Sequence, residues 1–172
     1  MKKLIIIFIF FFTNINHILA NTNIVFVDMD KILTTSKAGS SILDQLNKIN
    51  DKNLNDFKKI SNDLKEKEKK IATQKNIISK EEFKSNFKNL KLEVDKYNEE
   101  RRVIINNFNR LKADNTNKFL KMINLILVKY SDEKSISIIL QKKNLVIGIT
   151  ELDVTDQIIK IIDNDIKVFK IK

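Results

Sequence analysis

Residues able to do chemistry are few in this chain. Three acidic pairs stand out: Asp28 with Asp30, Glu81 with Glu82, and Glu99 with Glu100. General acid–base work needs two carboxyl groups converging on one substrate. Neighbouring acids on a helix diverge by about 100°, and these sit among lysines, so they read as solvated surface. The single histidine, His17, lies close to the N-terminus, and there is no cysteine and no tryptophan. The usual general base, thiol nucleophile and soft metal ligands are therefore missing from most of the chain. Two glycines, Gly39 and Gly148, cannot make a glycine-rich phosphate loop. Catalysis is not expected, nor is a metal or a cofactor.

The chemistry that remains is that of surfaces, so the question becomes which elements display them. The chain opens with Lys2 and Lys3, an unbroken apolar run Leu4–Phe12, and a more polar segment ending at Ala20. This is the three-part pattern of a secretory signal peptide, residues 1–20, with cleavage after Ala20. The apolar run is too short to span ~30 Å of hydrocarbon. Export without cysteine leaves stability to packing or oligomerisation. It also excludes a lipid anchor on cysteine, which points to the periplasm.

Two long stretches, Ser36–Lys75 and Ser79–Tyr130, carry apolar residues every three or four positions. The first includes Ile42, Leu46, Ile49, Leu54, Phe57, Ile60, Leu64 and Ile71. The second includes Phe83, Phe87, Leu90, Val94, Tyr97, Ile104, Phe108 and Leu111, with one gap at Arg101. A mean spacing near 3.5 residues is that of two helices keeping a seam against each other. They predict an antiparallel hairpin with arms on the order of 60 and 75 Å. Ser36, Ser40 and Ser41 are candidate caps, with a break near Gly39. The turn is expected at Thr73–Ser79, followed by a capping box from Ser79 to Glu82. The polar run Lys65–Lys70 marks an exposed tip. Phe57, Phe83 and Phe87 at seam positions read first as interhelical packing rather than as partner contacts.

Strand-like segments bracket the arm. Ile24–Val27, ending at Asp28, reads as a buried strand, and Met29–Thr35 as a helical turn. After an all-round apolar helix base at Phe119–Val128, Ile136–Leu140 and Leu145–Ile149 read as an antiparallel β-hairpin. Gly148 there marks a bulge or a close approach. Asp153–Gln157 opens a short helix with Ile158, Ile159, Ile161 and Ile162. The tail Asp163–Lys172 alternates, which fits either an edge strand or a mobile extension. The predicted class is α+β, mainly α: a helical-hairpin tentacle, residues 36–130, inserted in a small β-body made of residues 21–35 and 131–172. A body this small is marginal alone. Burial of Val25, Val27, Ile136, Ile138 and Val146 between copies is the expected remedy.

The strand Ile24–Asp28, then Thr34-Thr35-Ser36-Lys37-Ala38-Gly39, and the ending Leu152-Asp153-Val154-Thr155-Asp156-Gln157-Ile158-Ile159 together resemble the Skp/OmpH family of periplasmic chaperones. The resemblance implies a homotrimer with a central β-body and three tentacles around a cavity. It implies that unfolded outer-membrane β-barrel proteins are held there without ATP. The competing reading is a coiled-coil envelope spacer or secretion adaptor that holds no client.

The full chain has 32 basic and 22 acidic residues, a net charge of +10. Without Lys2 and Lys3 the remainder is still about +8. Basic and acidic residues interleave along the arm, and Arg101, Arg102 and Arg110 are the only arginines. Dense arginine clustering for phosphate readout is absent, and export removes nucleic acid as a physiological partner. Weak contact with a membrane surface is compatible with this charge.

Overall fold

In the computed structural model, residues 22–166 and 169–171 are described; residues 1–20, where a signal peptide is expected, lie outside them. Strand β1 (Ile24–Val27) leads into α1 (Met29–Thr35) and then α2 (Lys37–Gln74). Helix α3 (Lys80–Lys134) returns to β2 (Ile138–Gln141), and α4 (Thr155–Asp165) follows two short 3-10 turns. At 1.5 Å per residue the two long helices measure about 57 and 82 Å.

Local chemistry sets the helix ends. Asp28 caps α1 by accepting from the Lys31 amide at 2.9 Å. Ser36 serves two helices: its N–H closes α1 on the Ile32 carbonyl, and its hydroxyl caps α2 by accepting from the Gly39 amide at 3.1 Å. The break expected near Gly39 thus falls at Ser36, three residues earlier. Gly39 has a different task, since a Cβ built on it would lie 2.2 Å from the Leu33 carbonyl oxygen. That carbonyl is backbone and cannot swing away. Gly39→Ala should therefore cost about 1–3 kcal/mol despite alanine's better helix propensity. A thermal melt at or above the wild-type midpoint would refute that close approach.

The turn falls between Gln74 and Lys80, as expected, with Ser79 accepting from the Glu82 amide at 3.1 Å. The gap in the seam at Arg101 is filled: its guanidinium lies 5.6 Å from the centre of the Phe57 ring. Tyr97 meets the same ring edge-on and donates to the Phe57 carbonyl at 3.2 Å. Nearer the base, Asn115 is buried and donates to the Leu111 carbonyl at 2.7 Å. A polar residue in an apolar seam favours one register over its neighbours.

The sheet departs from expectation. β1 and β2 pair in parallel, with Ile24 opposite Ile138 and Val27 opposite Gln141. Residues 145–149 form no strand, so the antiparallel hairpin is not made. Lys142–Asn144 wind into a 3-10 turn, and the Lys142 ammonium sits 2.9 Å from Asp153 and 5.9 Å from the Phe26 ring centre. Those contacts lead the chain away from β2 and across Phe26. Gly148 supplies the close approach: a Cβ there would lie 2.7 Å from the Phe26 ring. On its other edge β1 receives Val154, whose amide donates to the Phe26 carbonyl at 3.0 Å.

The core lies where cap and arm meet, and includes Val25, Val27, Ile32, Ile42, Leu46, Phe119, Ile123, Ile158 and Ile162. The tail is neither an edge strand nor a loose extension in its described residues. Ile166 and Phe169 are buried in that same core.

Candidate functional site

Two surfaces can act on other molecules: the arm and the base from which it rises. The base is built by β2, the 3-10 segment and the lower part of α3. Phe119, Ile123 and Tyr130 on α3 point into the subunit core, whereas Leu125 and Val128 on other faces are exposed. The helix base is thus apolar on several sides, as expected from Phe119–Val128, but the side carrying Leu125 and Val128 has no cover among the described residues. Beside it lies an open groove of about 1000 Å³, lined among others by Val27, Leu120, Leu125, Val128, Ile139 and Leu140. The outer edge of β2 is free among the described residues, because its only strand neighbour is β1. Val146, Ile147 and Ile149, in the segment that crosses Phe26, are exposed apolar residues as well.

The residues expected to bury between copies divide into two sets. Val25 and Val27 lie in the core of their own subunit, and Ile136 packs half-buried against it. Ile138 is 44% exposed and Val146 is 99% exposed. Leu125 and Val128, outside the residues expected to associate, belong to the exposed set as well. Their apolar character was visible in the sequence, but the direction in which each faced was not.

A polar clasp holds this base together at the Asp153-Val154-Thr155 motif. Buried Thr155 accepts from the Asp28 amide at 2.8 Å, and its hydroxyl donates to the Asp153 carboxylate. The Thr155 amide reaches the same carboxylate oxygen at 3.0 Å, and Lys142 reaches the other at 2.9 Å. Lys31 and Asp156 pair alongside at 2.6 Å. The motif is a joint between β1, the 3-10 segment and α4. Burial pushes the Asp153 carboxyl up, but the Thr155 hydroxyl, Lys142 and the Thr155 amide outweigh it and hold the group below its ordinary 3.8. The Lys142 ammonium is correspondingly raised by its bond to Asp153.

A depressed carboxyl pKa stabilises the fold above the ordinary value and loses that contribution as pH falls through the lower folded value. The melting temperature should therefore drop between pH 5 and pH 3. Asp153→Asn should start lower at pH 7 and show a smaller drop. Equal drops in both proteins would remove the clasp from acid sensitivity.

The arm presents mixed chemistry. Phe57 is buried in the seam, Phe83 is half-buried, and Phe87 is exposed. Leu54, Leu92 and Val103 are further exposed apolar positions among charged side chains. The ion pairs along it, such as Lys67 with Glu93 and Arg102 with Glu99, are exposed and contribute little stability. No group of three or more His, Cys, Asp or Glu among the described residues could hold a metal. No helix among them is long and apolar enough to cross a membrane.

Comparison with known proteins agrees with this architecture. The crystal structure of an OmpH-like protein from Caulobacter crescentus superposes with a TM-score of 0.79. It covers 88% of this chain and 89% of its own, at 12% sequence identity, a likeness of fold. No curated protein sequence matches significantly. The family described as outer membrane protein (OmpH-like) matches residues 23–162, from the start of β1 into α4. The chain belongs to the OmpH-like outer membrane protein family.

Proposed function

We propose that the mature chain is an ATP-independent periplasmic holdase. Three copies associate through their bases, and unfolded outer-membrane β-barrel proteins are held between the arms. The observation that carries this reading is the uncovered apolar base: the groove beside Leu125 and Val128 runs along Ile139 and Leu140 of β2, whose outer edge is free among the described residues, and Val146, Ile147 and Ile149 are exposed as well. A monomer rarely leaves a large apolar patch open, and a free strand edge invites pairing. Copies joined at this base would carry their arms outwards and leave space between them. The arms then offer scattered apolar positions in a net-positive, mostly polar setting, suited to many weak contacts with an unfolded chain. Charge attraction would speed capture of acidic clients and weaken with salt.

The test is the solution mass of the purified mature protein, with and without a urea-unfolded β-barrel protein. The expected results are a trimer and suppressed client aggregation. A monomer or dimer at micromolar concentration with undiminished aggregation would sink the proposal, and a trimer indifferent to the client would point to a spacer.

A further inference from the structure

The family match ends at residue 162, but the chain continues across the base of the arm. Phe169 is only 9% exposed, and its ring meets Phe119 edge-on at 6.1 Å. Gln45 on α2 handles the tail backbone with both ends of its side-chain amide. Its Nε2 donates to the Phe169 carbonyl at 2.8 Å, and its Oε1 accepts from the Ile171 amide at 3.3 Å. Ser41 donates to the same Phe169 carbonyl at 3.4 Å. Ser41 also orients Gln45, whose Nε2 lies 3.0 and 3.1 Å from the Ser41 carbonyl and hydroxyl oxygens. A carbonyl and the N–H two residues further on face the same side when a chain is extended, and one residue of a parallel strand bonds such a pair. A single glutamine on a helix here takes the part of a strand partner.

We propose that the groove around Ser41, Gln45 and Phe119 is a binding site for an extended polypeptide segment with alternating apolar residues, and that the tail is its resident occupant. Recognition through backbone groups and one aromatic contact tolerates many sequences. Unfolded β-barrel strands have this chemistry, so the inference deepens the holdase reading: a client strand would displace the tail at the root of the arm. The tethered tail competes at an effective concentration in the millimolar range. Only segments concentrated between the arms would displace it.

The probe is a fluorescent peptide copying residues 163–172, titrated into the full mature chain. Phe169→Ser should release the tail and tighten peptide binding at least tenfold over wild type. Adding Gln45→Ala to that variant should abolish the gain. A folded Phe169→Ser protein binding no better than wild type, or binding undiminished by Gln45→Ala, would overturn the proposal. Should Phe169→Ser fail to fold, hydrogen exchange at the Ile171 amide of the wild-type chain decides. Excess peptide should accelerate it several-fold, and unchanged protection would overturn the site. Peptide binding without protection of an unfolded barrel would keep the groove and discard the holdase. Protection of the barrel without peptide binding would do the reverse.

Discussion

Val27→Asp is expected to abolish the folded subunit, whereas Val146→Asp should leave it folded and monomeric. Val27 is 1% exposed, on the face of β1 that packs into the core with Ile32 and Ile158. A carboxylate there would sit among apolar side chains of the core and would be neutralised or expelled. Burial of an unpaired charge costs on the order of 5 kcal/mol, comparable with the whole stability of a domain. Loss of assembly in that variant would follow from loss of the subunit, so it reports on folding. Val146, at 99% exposure, can carry a charge within the single chain at a cost of about 0.5 kcal/mol or less. Only a neighbouring copy could make that charge expensive. Circular dichroism and sedimentation equilibrium separate the two cases. A Val146→Asp protein that remains trimeric at micromolar concentration would remove residues 145–149 from the proposed interface. A folded Val27→Asp protein would contradict the core.

The contrast shows which parts of the molecule were legible from residue order. Helix period is a local signal repeated many times, so both arms, the Ser79 cap and the turn after Gln74 could be read directly, while Ser36 was one of three candidate caps. Strand direction is not local. Ile136–Leu140 and Leu145–Ile149 both have the composition of strands, yet their pairing depended on Lys142 meeting Asp153 and on Gly148 meeting Phe26, contacts made across the fold. The Arg101 gap was misleading for a related reason, since a cation stacked on Phe57 packs without being apolar. Among the candidate association residues, Val25 and Val146 look alike in sequence. They differ only in whether their own chain covers them, which is a property of the folded subunit. The tail's alternation signalled apolar character, but its partner, the Gln45 side chain, carries no pattern that would announce it.

Phe119→Ala is the expected large loss at the other end of the core. Phe119 is fully buried where α3 passes from arm to base, and it packs edge-on against Phe169. Removing such a ring costs about 3–5 kcal/mol through lost transfer energy and the cavity left behind. The aromatic pair accounts for roughly 0.5–1.5 kcal/mol of such a contact. With a urea slope of about 1–3 kcal/mol per molar, the unfolding midpoint should fall by about 1 M or more. Leu125, on an exposed face of the same helix, provides the control. Leu125→Ala should barely move the midpoint of the isolated subunit, while weakening association if a second copy covers that face. Because α3 is one unbroken helix from Lys80 to Lys134, damage at Phe119 reaches the seam first at Asn115 and Leu111. Hydrogen exchange should therefore rise at the base before it rises near Phe57 and Tyr97. Equal acceleration along the whole arm would mean that base and arm unfold as one unit, with Phe119 no more than an average member of it.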